Sequence, residues 1–149
     1  MSLSQKIEQD YIAAYKARDV VRLNVLRLVK TAAKNAQVSL MRPLEEVELL
    51  DVFMKQVKQR QDSIEQFTKA NRLDLAAREQ AELDVLSGYM PKALSQAEVL
   101  EAVNAAIAET GAAAPQEMGK VMNLLMSRHK GQVDAKGLSA LVRERLSAK

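Results

Sequence analysis

The side chains in this sequence best suited to chemistry are cations gathered near its C-terminal end. Between Ser127 and Leu141 the chain reads SRHKGQVDAKGLSAL, with Arg128, His129, Lys130 and Lys136 set around Gly131, and Lys120 lies one short helix upstream. Cations converging on a glycine turn can grip an anion, because a residue without a Cβ lets backbone amides approach a ligand closely. The N-terminus of a following helix adds positive potential, which Asp134 offsets in part. The same residues equally suit a plain helix–turn–helix connector with a glycine stop, and by themselves they leave the two readings even. A second basic set, Arg27, Lys30 and Lys34, falls at i, i+3, i+7 on one helix face. That spacing could track a phosphate backbone, but it is also what the solvated side of any amphipathic helix shows.

Other chemistries find little support. His129 is the only histidine and there is no cysteine, so thiolate or multi-histidine metal sites are not expected. A lone histidine at a helix end reads as a partner for the C-terminal dipole. Its solitude also argues against a Ser-His-Asp arrangement, while catalysis by lysine or carboxylate stays open. The acids of EEVE and AREQAELD read as solvated faces, since nothing in the pattern splits their pKa values. No glycine-rich phosphate cradle is present. The expectation is therefore no catalytic residue, no cofactor and no metal.

Elements that hold such residues must be helical. Of 149 residues, 48% are apolar and only 3% aromatic, with five glycines and three prolines, too few for a turn-rich β fold. Periodicity points to an all-α, multihelical chain of two small subdomains. Ser4 is a candidate cap for a first helix carrying Ile7, Tyr11, Ala14 and Tyr15 on one face, and Asp19 for the second. Pro43 suits the first turn of a long third helix, whose Val47, Leu50, Met54, Val57, Gln61 and Ile64 follow a hairpin or coiled-coil seam. A fourth helix carries Leu75, Leu83, Leu86 and Met90. A break at SGYMP sets the boundary between subdomains 1–92 and 93–149. Ser95 and Glu98 form a capping box for the fifth helix, which Gly111 ends. Pro115 starts the sixth, Gly131 stops it, and Asp134 caps the last. Met118, Met122 and Met126 make a stripe at i, i+4, i+8 that reads as core, with a partner groove as the alternative.

Charge is unevenly spread. Lys16–Arg42 holds seven basic residues and one acid, Ala93–Glu117 holds four acids and no Lys or Arg, and Met118–Lys149 holds seven basic residues against two acids. Neither a signal peptide nor an 18-residue apolar run is visible, so a soluble, cytoplasmic protein with no membrane partner is expected.

The stretch EMGKVMNLLMSRHKGQVDAKGLSALV, with its Met-Gly-Lys-Val-Met start and Lys-Gly-x-x-Asp turn, resembles the GatB/YqeY family. VLRLVKTAAKNAQV and KQVKQRQDSIEQFTKANRLDLAAREQAELDVLSGYMP are similar to the family's helical N-terminal portion, so the resemblance spans essentially the whole chain. It implies two all-α subdomains and kinship with the C-terminal tail of the B subunit of the glutamine-dependent aspartyl/glutamyl-tRNA amidotransferase, a tail that contacts tRNA. It also implies the family label of carbon–nitrogen ligase with glutamine as amido-N-donor, although ATP-dependent activation and amide transfer belong to a separate domain that nothing here matches. The matched positions are Gly119, Lys120, Lys130, Gly131 and Asp134. Ala135 stands where the family commonly has proline, and Gly137 inside the last helix predicts a late or frayed start.

These readings converge on a non-catalytic, tRNA-binding-like accessory module. Its RNA-contacting candidates are Gly119, Lys120, Arg128, His129, Lys130, Gly131 and Lys136, with Arg27, Lys30 and Lys34 as a secondary basic face. Two alternatives accompany it: an adaptor that docks on an amidotransferase or aminoacyl-tRNA synthetase, and an amide-transfer enzyme.

Overall fold

A computed structural model describes residues 1–148. They form seven α-helices and one 3₁₀ turn, with no strand among the described residues. The chain divides into two compact units, Met1–Met90 and Pro91–Lys149.

The first unit holds α1 (Leu3–Ala17), α2 (Val20–Leu40), α3 (Glu46–Lys69) and α4 (Leu73–Ser87). Ser2, not Ser4, caps α1: its hydroxyl accepts from the Gln5 amide while the Gln5 side chain accepts from the Ser2 amide. Arg18 turns left-handed at φ 58°, and Asp19 caps α2 by accepting from the Arg22 amide, so two residues suffice to reverse the chain. Pro43 does not open α3. That helix begins at Glu46 behind Glu45, whose amide donates to Glu48, and the Arg42 guanidinium forks onto the same Glu48 at 2.7 and 2.9 Å.

The α3 seam is rotated from the expected one. Leu49, Phe53 and Arg60 are buried, whereas Val47 is 56% exposed and Gln61 lies in solvent. The core of this unit joins Ile7, Val25, Leu26, Val29, Leu49, Phe53, Leu86 and Tyr89. Met90 lies past the end of α4, which stops at Ser87, and Tyr89 takes the inward position. Its ring stacks on Phe53 at 5.2 Å, and its hydroxyl donates to Asp10 at 2.5 Å. Burial and that acceptor push the phenol well above its ordinary range.

Glu79 and Glu82 do not belong to a merely solvated face. They reach across the α3–α4 hairpin to the buried Arg60, with Nε 3.9 and 3.4 Å from their carboxylates, and Arg60 also donates to Gln56 at 3.0 Å. A guanidinium taken out of water needs such partners, which explains why a charged residue sits inside the seam.

The second unit packs α5 (Gln96–Thr110), α6 (Met118–Arg128) and α7 (Ala135–Ser147) around Val103, Ala106, Ile107, Val121, Leu125, Leu138, Val142 and Leu146. Ser95 and Glu98 complete their capping box, and Gly111 ends α5 at φ 71°. Pro115–Glu117 forms a 3₁₀ turn that leads directly into α6. Met118, Met122 and Met126 are half-buried against this core, beside the fully buried Val121 and Leu125.

Candidate functional site

The connection from α6 to α7 is built residue by residue. His129 leaves helical geometry at φ −117°, ψ 37° while its amide still donates to the Leu125 carbonyl. Gly131 adopts φ 79°, a left-handed conformation that costs a side-chain-bearing residue about 1–2 kcal/mol. The Gln132 amide then donates back to the His129 carbonyl at 2.9 Å, closing the turn. Asp134 takes extended backbone and caps α7, accepting from the amides of Lys136 and Gly137 at 3.4 and 3.3 Å.

Asp134 therefore occupies two helix N-terminal amides that an anion would otherwise use. It also resolves the position of Gly137. That residue does not delay the helix, because its amide is one of the two held by the cap and α7 begins at Ala135.

Gln132 performs a second task. Its carbonyl accepts from the Leu94 amide at 3.0 Å, and its side-chain Nε2 donates to the Lys92 carbonyl at 3.1 Å. The extended segment before α5 is thus stitched to the glycine turn through the backbone of Lys92 and Leu94. The Ser95 cap, with help from the Lys92 ammonium, draws the Glu98 carboxyl below its ordinary range. Lys92 and Gln132 are absent from the residues expected to form the site. No local pattern links positions separated by forty residues, although the position of Gln132 in a Lys-Gly-Gln turn was a faint signal.

The other expected cations lie apart. Lys120 sits at the opposite end of α6 from Arg128, about 12 Å away along the axis, and pairs loosely with Glu117 at 3.8 Å. Glu117 is itself held by the amides of Ala113 and Ala114 at 2.6 and 3.2 Å, which draws its carboxyl below the ordinary range. Arg128 forks onto Glu109 of α5 at 2.9 and 3.1 Å. That bidentate bond raises the guanidinium and lowers Glu109. The pair is exposed and screened by water, so a phosphate can compete for the arginine. Gly119 shares the Lys120 end of the helix and has open space where a Cβ would stand, so packing does not explain a glycine there.

In the first unit, Arg27, Lys30 and Lys34 line one groove of about 480 Å³ between α1 and α2. Among the described residues no cluster of three or more His, Cys, Asp or Glu could hold a metal ion, and no helix is long and apolar enough to cross a membrane.

The model of the family described as Yqey-like protein matches residues 4–146. Among similar proteins is altered inheritance of mitochondria protein 41, mitochondrial, of Pyrenophora tritici-repentis, 31% identical over 147 residues that cover 97% of this chain and 81% of that protein. Proteins of the same name from Lachancea thermotolerans and Saccharomyces cerevisiae are 34% identical over 85 residues, 56% of this chain and 46% of theirs.

Proposed function

The chain belongs to the YqeY-like family, and on that premise we propose that it is a non-catalytic accessory module that binds tRNA through the α6–α7 turn. The observation that supports this reading is the Gln132 stitch, which ties the backbone at Lys92 to the left-handed Gly131 turn that carries His129 and Lys130 and leads to Lys136. Positive side chains on one short connection suit a phosphate backbone, whose charge dominates affinity for nucleic acid.

The second unit contains no Phe, Tyr or Trp, since all five aromatic residues precede Pro91. Base stacking at this turn is thereby left to the His129 ring and should contribute little. Recognition would run through phosphates and helix shape, with sequence contributing little. Arg128 is the reserve cation, released from Glu109 when a phosphate competes. As an accessory module the protein would present tRNA to an amidotransferase or an aminoacyl-tRNA synthetase. A cytoplasmic site of action belongs to the same proposal, while the fungal relatives carry mitochondrial names. The half-buried methionine stripe leaves little apolar surface in the second unit for an adaptor role.

The test is binding of an unfractionated tRNA pool to the full chain and to Lys92→Glu, Lys130→Glu and Lys136→Glu. Each reversal should weaken binding severalfold, with the fold intact by circular dichroism. Equal binding by all three variants would refute the assignment.

A further inference from the structure

The groove in the first unit has a different chemistry from the turn. Its floor is apolar: Ile7, Val29 and Leu49 are buried, and Tyr11, Ala33 and Leu44 pack against them. Its rim is cationic, with Arg27, Lys30 and Lys34 along α2. The walls are fixed at one end, where the Leu3 amide donates to Glu46 at 2.7 Å and ties α1 to the start of α3. Arg27 to Gln37 covers about 15 Å of helix axis, the length of about three helical turns.

Nucleic acid fits this groove poorly. A phosphodiester gains nothing from an apolar floor, and Glu8 projects into the same space. Glu8 is bound to Lys30 at 3.1 Å, and the Lys30 ammonium lies 4.1 Å over the Tyr11 ring. The one aromatic face in the groove is therefore covered and cannot stack a base. Arg27 and Lys34 differ from Lys30, because neither has a carboxylate partner among the described residues. Two unpaired cations flanking an apolar floor complement a ligand that is both apolar and acidic.

We infer that this groove is the docking site for an acidic amphipathic helix of a partner protein, its apolar side on Ile7, Ala33 and Leu44 and its carboxylates on Arg27 and Lys34. The cations stand at i, i+3 and i+7 of α2, so carboxylates with the same helical repeat on the partner can meet them along the groove. Electrostatic complementarity of this kind sets partner choice and encounter rate, while the apolar floor supplies affinity.

The experiment is a peptide-display selection on the full chain, followed by synthesis of the most enriched peptide. Enrichment of sequences with Leu, Ile or Met at i, i+3 or i+4 and i+7, flanked by Asp or Glu, is expected. The synthetic peptide should bind the Arg27→Glu/Lys34→Glu double variant at least about tenfold more weakly than the parent chain. It should also bind Ala33→Leu more weakly, because the added side chain fills the floor. Both substitutions lie at partly or fully exposed positions, and circular dichroism checks that each variant is folded. The inference is overturned by no enrichment, by enrichment of neutral or basic peptides, or by full binding to both variants. Displacement of the peptide by tRNA, or self-association in sedimentation that the double variant abolishes, would assign the groove to RNA or to a second copy and also overturn it.

Discussion

Replacing Asp134 separates the structural and electrostatic roles of the α6–α7 turn. Its carboxylate caps α7 through the amides of Lys136 and Gly137, so Asp134→Ala leaves two helix N-terminal donors to water. Loss of such a cap costs about 1 kcal/mol, within a range of about 0.5–2. In a unit of roughly 60 residues that lowers Tm by about 4–8 °C. Asparagine caps nearly as well as aspartate, so Asp134→Asn should keep most of this stability while removing the charge. If a tRNA phosphate sits about 8 Å from the carboxylate, repulsion in a water-like medium is about 0.5 kcal/mol, a factor of about 2 in affinity. The assays are a thermal melt, amide hydrogen exchange at Leu138 and Val142, and tRNA titration at fixed salt. Asp134→Ala should speed exchange at both amides, and Asp134→Asn should bind tRNA about twofold more tightly with nearly unchanged exchange. Unchanged stability in the alanine variant would refute the capping role. Weaker tRNA binding by the asparagine variant would refute the position of the anion.

Other outcomes follow from neighbouring features. Arg60→Met strands Glu79 and Glu82 without their cation at a nearly buried position, so the first unit should lose about 3 kcal/mol by chemical denaturation; adding Glu79→Gln and Glu82→Gln should recover part of that loss. Gly131→Ala should cost about 1–2 kcal/mol because φ there is 79°, and Gly131→Asn should cost less in the same melt. The carboxyls of Glu98, Glu109 and Glu117 are drawn below their ordinary value of 4.5, by the Ser95 cap, the Arg128 fork and the Ala113 and Ala114 amides respectively. Their folded-state pKa values lie below the unfolded ones, so their stabilisation is complete above pH 4.5 and is lost as pH falls through the folded values. Glu117→Gln should flatten that acid decline of stability in the second unit.

Helix-end signals carried much of the fold in the sequence because they are local. Asp19, Ser95 with Glu98, Gly111 and Asp134 each act through amides within four residues, so composition and spacing suffice to find them. The same rule applied more strictly favours Ser2 over Ser4, since only Ser2 has a glutamine three residues on. The α3 seam departs from the expected one because Arg60 interrupts the apolar face. A charged residue there steers a pattern search toward Val47 and Gln61, and only the carboxylates of α4 make its burial intelligible. The candidate site mixes both cases. Gly131 and its flanking cations are visible in fifteen residues of sequence. Lys92 enters only through Gln132, and the pairing of Arg128 with Glu109 depends on how α5 lies beside α6. Such contacts are set by tertiary packing, which leaves no local trace.

The most direct test of tRNA binding at this turn is the salt dependence of affinity for the parent chain beside the Lys92→Ala/Lys130→Ala/Lys136→Ala variant. Each phosphate contact releases counterions worth about −0.7 to −0.9 in the slope of log K against log salt, so three lysines with Arg128 predict a parent slope of about −3 to −4. The triple variant, which keeps only Arg128, should come down to about −1. A flat parent line, or a steep one that the triple variant keeps, would contradict the account.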